Sequence, residues 1–449
     1  MVSNIVNDFL IDYLEKEPYA TYDELANIIA PIELLVRKNK DKSLDELIDL
    51  IIKDNINEFE NIRQKYGVPG YTANIKVNGI YVKLFGGNIN YLGEAMPNNA
   101  LFDIASMTKF YTQIIAYNLI REGLFKREDK IIDLDPRFKN LGDLTVDDIL
   151  TFGTTFKTDG LAKNKRTINE ALDVILHANV IEKGKWNYND IGLIIMKEVM
   201  ETLTRLTYQE LVDKYIVYPL HLTDTHVIVP KTKFHLITGT PNYKEGHIND
   251  MTANALGGYS GHAGIFATSD DVIRLLVGVR NKRILPNKED AYTPGKLNDA
   301  IGVMGNAYIS NPKGLEKSFV DKFEPRDTFA IAGSTRVNAA SSSDSAYTVM
   351  FNPGSMSKSE AKIREEIINN ERINKGLKPV EIVKKFEFSR DGSLKELTLI
   401  DSRFLVPVDP MADVVSNVAK TTLKLRFLDF LIKKYDKSIN EINIIRNNK

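Results

Sequence analysis

Cysteine is absent from the 449 residues of the chain, which excludes disulfide bonds, thiolate metal sites and a cysteine nucleophile. The sequence also lacks a surplus of either charge, since 59 basic residues face 60 acidic ones and the formal net charge is −1. No global field therefore favours nucleic acid or anionic lipid as a partner. The residues that are present, 43% hydrophobic and 27% charged, are typical of a folded globular protein.

Signals for export and for membrane insertion are also missing. The first residues do not form a basic stretch followed by an apolar one, which is the pattern of a secretory signal. No apolar run reaches the roughly 18 residues that a membrane span requires. We therefore expect a cytoplasmic protein without a membrane span. The histidines have no ligand-like spacing and there is no phosphate-binding loop, so we expect no metal and no cofactor. The sequence leaves the oligomeric state open.

A serine and a lysine three residues apart form the most informative pair in the chain. Ser106 and Lys109 precede apolar residues that recur at helical spacing between positions 110 and 119, and Gly123 is a natural helix end. At this spacing the two side chains share one helical face. An uncharged amine can take the proton of a hydroxyl, and burial at a helix N-terminus favours the uncharged amine. The pattern predicts a serine nucleophile with its own base.

The same spacing occurs twice more, at Ser355–Lys358 and Ser359–Lys362, inside a charged run where it is incidental. A helix N-cap is therefore the other interpretation of Ser106. The apolar residues that precede it, between positions 101 and 105, distinguish Ser106 from the other two serines.

The segment from Phe102 to Lys109, FDIASMTK, resembles the active-site segment of the serine β-lactamase and penicillin-binding-protein superfamily. It is most similar to the branch that contains class C β-lactamases, D-aminopeptidases, DD-carboxypeptidases and related esterases. The resemblance extends over residues 60–351. It implies an α+β fold, in which an antiparallel sheet is flanked by helices, an all-helical lobe is inserted, and the active site lies in the cleft between the two.

The resemblance also divides the chain. We expect residues 1–62 to form an N-terminal helical extension and residues 63–449 to form the serine hydrolase domain. Within that domain the helical lobe spans about 105–265, the sheet lobe spans 63–104 and 266–449, and a charged insertion lies at about 355–380. A helical pad on the domain is the favoured interpretation of the extension, and a docking or dimerisation element is the other.

Three further elements follow from local patterns. Alternating apolar residues on both sides of Asn78-Gly79 predict a β-hairpin, and those on both sides of Asp391-Gly392 predict a second one. The apolar positions between Met411 and Ile432 predict a long amphipathic helix that packs on the sheet. The polar tail that ends at Lys449 is expected to be frayed.

Residues 184–192, GKWNYNDIG, resemble the second motif of the superfamily, in which a tyrosine shuttles protons and an asparagine contacts the substrate. The resemblance gives Tyr188 the role of this tyrosine, and packing in the core is the other interpretation. Asp190 stands where asparagine is expected. A carboxylate there would hold Lys109 protonated more firmly, or would repel a substrate carboxylate. Residues 152–155 replace the usual His-Thr-Ser-Gly, so we expect the loss of a loop that supports the pocket.

The third motif of the superfamily, Lys/His-Thr/Ser-Gly on an edge strand, holds a substrate carboxylate. Its equivalent here is Ser334, Thr335 and Arg336, so serine replaces the cation and arginine replaces the glycine. Arg336 could supply the missing cation, or its bulk could block the strand edge. The glycine-rich residues 254–271 resemble the segment that lines the pocket rim in the superfamily. The resemblance places His262 of this segment at the substrate, and a role of His262 as a base is the less favoured interpretation.

These residues predict a serine hydrolase that cleaves an ester or amide through a covalent acyl-serine intermediate. Ser106, Lys109 and Tyr188 are the catalytic residues, and backbone amides of Ser106 and of the strand near Arg336 hold the oxyanion. The altered motifs and the missing export signal favour an esterase or peptidase, acting on a small molecule or peptide, over a β-lactamase. The alternative, favoured by Asp190 and Arg336, is a catalytically inactive protein that uses the fold for binding or scaffolding.

Overall fold

The computed structural model describes the chain over the following residues: 3–66, 68–89, 94–185, 187–238, 248–281, 283–284, 308–309, 320–351, 366, 369–370, 373–374, 376, 378–379, 382–388, 394–400, 411–434 and 442–448. Most of the expected charged insertion at 355–380, the turn at 391–392 and Trp186 of the second motif lie outside these residues.

The described elements include long helices at both ends of the chain and short ones between. In chain order the helices are α1 Asn4–Leu14, α2 Tyr22–Lys38, α3 Leu44–Tyr66, α4 Thr108–Arg121, α5 Ile131–Leu134, α6 Val146–Leu150, α7 Ile168–Leu176, α8 Ile191–Thr204, α9 Tyr208–Val212, α10 Tyr218–Leu220, α11 Met251–Ala255, α12 Ser269–Arg280 and α13 Met411–Lys434. The strands are β1 Gly70–Val77, β2 Ile80–Gly87, β3 Phe102–Asp103, β4 Thr154–Lys157, β5 Asn179–Lys183, β6 Thr225–His226, β7 Phe266–Ala267, β8 Tyr308–Ile309, β9 Phe329–Gly333, β10 Val337–Ser341, β11 Ser345–Phe351, β12 Ile382–Phe388, β13 Leu394–Ile400 and β14 Ile442–Asn448.

A seven-stranded sheet in the order β14-β2-β1-β11-β10-β9-β8 separates two apolar cores. One core lies between the sheet and the terminal helices α1, α2, α3 and α13. The other lies on the opposite face, where α12 covers the sheet and joins it to the lobe that contains α4 and α8. The prediction of an α+β fold with an antiparallel sheet flanked by helices is confirmed.

The described elements between residues 105 and 265, where the inserted lobe is expected, are mostly helices. Its helix α4 is buried on all sides, from Thr108 to Leu119, because the lobe packs around it. The lobe also carries a two-stranded sheet, β4 with β5, and its strand β6 joins β3 and β7 in a small three-stranded sheet. The lobe is therefore less purely helical than the resemblance implied.

The hairpins and the long terminal helix follow the sequence patterns. Strands β1 and β2 pair antiparallel around Asn78, whose φ of 48° suits the tight turn, and β12 pairs with β13. The expected amphipathic helix is α13. The prediction of a frayed tail was wrong for residues 442–448, because β14 pairs in parallel with the edge of β2. Pairing to a sheet edge uses main-chain groups, so a polar tail can satisfy it.

Within the described residues, none of the helices combines the length and the apolar character that a bilayer span requires.

Candidate active site

The serine of the first motif lies in a tight turn between a strand and a helix. Strand β3 ends at Asp103, a 3-10 turn spans Ala105–Met107, and α4 begins at Thr108. Ala105 has a φ of 45°, a left-handed conformation that is uncommon for residues other than glycine. Ala105 and Met107 are buried, whereas Ser106 between them is partly exposed. The turn therefore leaves Ser106 partly exposed between two buried neighbours.

A buried carboxylate holds this turn in place. Asp103 accepts a hydrogen bond from the N–H of Ala105 at 2.8 Å and another from the N–H of Asn249 at 2.7 Å. Burial raises the pKa of Asp103 to about 6, although the two N–H donors act in the opposite direction. Asp103 therefore links the nucleophile turn to the loop that precedes α11.

The variant Asp103→Asn is expected to show the energetic cost of this buried charge. The folded pKa is about 6 and the ordinary value 3.8, so the wild type loses stability as pH rises from about 4 to 6. The variant lacks this loss, and its free energy of unfolding relative to wild type should rise by about 3 kcal/mol over that range. Urea denaturation at pH 4 and pH 7 measures the difference.

The exposed Asp133→Asn is the matched control, and it should track the wild type at both pH values. The amide that Asp103→Asn introduces has a single oxygen and can accept only one of the two N–H groups through it, so we also expect about a tenfold lower kcat. If the free energy of unfolding changed equally for Asp103→Asn and wild type between pH 4 and pH 7, the raised pKa would not belong to Asp103.

The lysine of the first motif lies in the first turn of α4, with its ammonium group fully engaged. Lys109 Nζ is 3.1 Å from Ser106 Oγ, 3.0 Å from the carbonyl oxygen of His262 and 2.8 Å from Asp190 Oδ1. These three acceptors match the three donors of a protonated amine.

The charge state of Lys109 differs from the prediction made from its position in the helix. Burial acts to lower the pKa of Lys109, but the interactions with Tyr188 and Asp190 outweigh it and raise the pKa above the usual value. The prediction of an uncharged amine in the resting protein was therefore wrong. The expectation that Asp190 would hold Lys109 protonated matches the direction of the shift.

Tyr188 and Asp190 of the second motif reach Lys109 from the segment before α8. The ring centroid of Tyr188 lies 5.0 Å from Lys109 Nζ, and the side chain is 36% exposed, which argues against a packing role in the core. The side chain of Asp190 is 48% exposed, so one face of its carboxylate remains open to the cleft. The structure thus brings Ser106, Lys109, Tyr188 and Asp190 together.

Residues 152–155 support the second motif instead of withdrawing from it. The ring of Phe152 stacks on Tyr188 with centroids 5.2 Å apart and planes inclined by 16°. The N–H of Asn187 donates to Phe152 O at 2.7 Å, and Asn189 Nδ2 donates to Thr154 O at 3.0 Å. The expected loss of a supporting loop was therefore wrong, because an aromatic ring and main-chain carbonyls provide the support.

The glycine-rich segment lies directly against α4 and carries His262. Thr112 Oγ1 donates to Gly261 O at 2.5 Å, next to the bond from Lys109 to His262 O. Gly261 has a φ of 75°, and a Cβ there would lie 2.6 Å from Lys197 Cβ, so only glycine fits this close approach. The main chain of the segment therefore positions Lys109.

The imidazole of His262 is buried and contacts an acid outside the three motifs. His262 Nε2 is 3.1 Å from Asp250 Oδ1. Burial acts to raise the pKa of Asp250, but His262 and the N–H of Ala253 outweigh it and lower the pKa to about 2. One potential ligand atom from each of Asp190, Asp250 and His262 lies within 4.8 Å of the others, so among the described residues these three could hold a cation.

Residues Ser334, Thr335 and Arg336 form the turn between β9 and β10, and do not lie on an edge strand as the resemblance implied. The N–H of Arg336 donates to Gly333 O at 3.1 Å, and its φ is 63°. Thr335 Oγ1 donates to Asp103 O at 2.6 Å, which ties the turn to the nucleophile segment. Ser334 is exposed and Arg336 is buried. The amide of Arg336 is thus engaged in the turn and is not a donor for an oxyanion.

The comparison with known families agrees with this geometry. The Beta-lactamase family model matches residues 56–309, which is more than half of the chain and includes Ser106, Lys109, Tyr188 and His262. The chain belongs to the beta-lactamase family.

A curated relative is named a putative D-alanyl-D-alanine carboxypeptidase of Escherichia coli (strain K12). This chain is 25% identical to that relative over 248 residues. The match covers 45% of this chain and 57% of the relative. The chain thus spans less than two thirds of the length of the curated relatives that it matches.

Two solved structures show the same fold at low sequence identity. A beta-lactamase/D-alanine carboxypeptidase from Pseudomonas syringae has a TM-score of 0.56 at 16% identity, covering 74% of this chain and 99% of that one. A class C beta lactamase from Rhodobacter sphaeroides has a TM-score of 0.54 at 15% identity, covering 72% and 98%.

The sequence patterns did not indicate a role for three residues that the structure places at this beta-lactamase family site: Asp103, Phe152 and Asp250. Asp103 lies inside the FDIASMTK segment, but nothing in that segment shows that its carboxylate is buried and accepts hydrogen bonds from two N–H groups. Asp250 contacts a residue 12 positions away across a loop, and Phe152 contacts one 36 positions away. Neither contact leaves a local pattern.

Proposed function

We propose that this chain is a serine hydrolase that cleaves an ester or amide through an acyl-serine intermediate. The observation that carries the proposal is the 3.1 Å hydrogen bond between Lys109 Nζ and the partly exposed Ser106 Oγ, in a chain of the beta-lactamase family. A hydroxyl becomes a nucleophile when an adjacent group takes its proton, and Lys109 is the nearest group of this kind.

The proton transfers follow from the contacts of Lys109. The ammonium must first release a proton, after which the amine accepts the proton of Ser106 as Oγ bonds to the carbonyl carbon. Lys109 then returns this proton, directly or through Tyr188, to the leaving oxygen or nitrogen. Water hydrolyses the acyl-serine in the second half of the reaction.

The oxyanion that develops on the carbonyl oxygen needs main-chain donors. The N–H of Ser106 is one candidate, and the turn that begins at Ser334 is the proposed source of the other. Glycine at position 333 supports this assignment, because a Cβ there would overlap the carbonyl oxygen of Ile104. The end of β9 therefore approaches the backbone just before the nucleophile.

An esterase or peptidase acting on a small molecule or peptide is favoured over a β-lactamase. The support is the third motif, where the neutral Ser334 stands in the position of the cation that holds a carboxylate. A relative named as a carboxypeptidase is consistent with a peptidase. The inactive alternative gains no support, since Ser106 is partly exposed and its hydroxyl is hydrogen-bonded to the lysine.

We also propose the division into an N-terminal helical extension and a hydrolase domain. The boundary expected between residues 62 and 63 falls inside α3, which runs from Leu44 to Tyr66, so we place it at the end of that helix. Apolar side chains of α1, α2 and α3 share one core with α13 and the sheet, which supports the interpretation of the extension as a helical pad on the domain.

Turnover of a neutral activated ester tests the function. The protein should release p-nitrophenol from p-nitrophenyl butanoate in proportion to its concentration, and should lose this activity after treatment with a fluorophosphonate. Failure to turn over this ester, a peptide p-nitroanilide and a chromogenic cephalosporin would contradict a hydrolase.

A further inference from the structure

The charges around Ser106 indicate which substrates the cleft accepts. We propose, resting on the hydrolase function above, that the substrate carries a protonated amine close to the scissile carbonyl and that Asp190 and Asp250 bind this amine.

The first observation is a pair of accessible carboxylates beside the nucleophile. Asp190 and Ser106 are both bonded to Lys109 Nζ, at 2.8 and 3.1 Å, so the carboxylate lies within two hydrogen-bond lengths of the hydroxyl. The side chains of Asp190 and Asp250 are 48% and 33% exposed. Their oxygens lie within 4.8 Å of each other, a separation that one ammonium nitrogen spans with two bonds of about 2.9 Å.

The second observation is a buried imidazole in the same cluster. His262 is 1% exposed at its side chain, and one of its ring nitrogens lies within 4.8 Å of both carboxylates. Its Nδ1 has no hydrogen-bond partner within the described part of the chain. A buried polar atom without a partner is costly, so the His262 ring of this cluster retains unused hydrogen-bonding capacity.

The third observation is the charge on the other side of the nucleophile. The exposed position of the third motif is Ser334, which is neutral, and the neighbouring Thr335 hydroxyl is bonded to Asp103 O. The cation bonded to Ser106, Lys109, already faces Asp190. A substrate carboxylate beside Lys109 would therefore meet two acids, whereas an ammonium group would meet two acceptors.

Binding of such an amine would also affect the protonation of Lys109, the proposed base. The substrate ammonium competes with Lys109 for Asp190, and it adds a positive charge near the lysine. Both effects favour release of the Lys109 proton to solvent, which the acylation step requires. A matching substrate would thus prepare the amine that accepts the proton of Ser106.

Three esters of equal length separate these possibilities. We would measure kcat/KM at pH 7, with EDTA present, for the p-nitrophenyl esters of 3-aminopropanoate, butanoate and succinate, whose acyl ends are positive, neutral and negative. The amine ester should be preferred over the neutral one by at least about tenfold, and the succinate should be the poorest.

Two variants test whether Asp190 and Asp250 cause the preference for the amine ester. Asp190→Asn and Asp250→Asn should each lower the ratio of the amine ester to the neutral ester by about tenfold, while the exposed Asp159→Asn leaves the ratio unchanged. Asparagine at position 250 keeps an acceptor for the helix cap at Ala253, so the fold is preserved.

The outcomes distinguish this inference from the function on which it rests. Turnover of the butanoate ester without preference for the amine ester would overturn the inference and leave the hydrolase intact. A preference that survives in both variants would also overturn it. Absence of turnover with all three esters would overturn the hydrolase and the inference together.

Discussion

Replacing Ser106 with alanine should lower kcat/KM for p-nitrophenyl butanoate by at least about 10³-fold while the protein stays folded. The reason is that Oγ is the atom proposed to attack the carbonyl carbon, and no other serine or threonine hydroxyl is bonded to Lys109 among the described residues. The substitution removes one hydrogen bond of a partly exposed group, so the change in stability should be about 1 kcal/mol or less. Steady-state kinetics and thermal denaturation measure the two effects.

The chain supplies a control with the same local pattern. Ser355 also precedes a lysine by three residues, within a charged run that lies outside the described residues. Ser355→Ala should therefore retain the wild-type rate. Equal activity of Ser106→Ala and wild type would exclude Ser106 as the nucleophile.

The variant Asp190→Asn is expected to hydrolyse the neutral ester faster at pH 7, by on the order of a hundredfold. The carboxylate is one of the two groups that raise the pKa of Lys109 against the effect of burial. Without it, the amine loses its proton at lower pH, and each unit by which the pKa falls increases the uncharged fraction about tenfold. The rise of rate with pH should move to lower pH, which a pH–rate profile of kcat/KM measures.

The exposed Asp159→Asn serves as the control for removal of one surface charge, and its profile should overlay that of the wild type. A slower Asp190→Asn enzyme with an unshifted profile would show that Asp190 is not what keeps Lys109 charged. The same variant should lose preference for the amine ester, so its rate with that ester should rise less than its rate with the neutral ester.

Much of the fold could be predicted because local patterns carry it. The hairpin around Asn78-Gly79 follows from alternation and a turn dipeptide, and α13 follows from helical periodicity between Met411 and Ile432. Strand β14 could not be predicted in this way, since it is specified by the free edge of β2, a partner more than 350 residues away.

The contact between Ser106 and Lys109 could also be predicted, because their spacing and their apolar surroundings are local. The charge of Lys109 could not, since it depends on whether burial or the contacts with Tyr188 and Asp190 dominate. The helix position alone favours the uncharged amine, and the interactions with Tyr188 and Asp190 together raise the pKa of Lys109 instead.

The third motif shows the limit of a resemblance without structure. Residues 334–336 align with a strand motif, yet they form the turn after β9, where Arg336 is buried and adopts a φ of 63°. The two roles considered for Arg336, a cation that binds substrate and a block on the strand edge, both assumed a motif on an edge strand. Because the motif lies in a turn, neither role follows from its position. Thr335 retains a link to the nucleophile through Asp103 O.

The central claim, that the Ser106 hydroxyl is activated by the adjacent lysine, is tested most directly by its reaction with a fluorophosphonate. Intact-mass analysis should show one phosphonyl adduct, peptide mapping should place it on Ser106, and the adduct should form faster as pH rises. Folded wild-type protein that remains unmodified, or that is modified equally when Ser106 is alanine, would contradict the account.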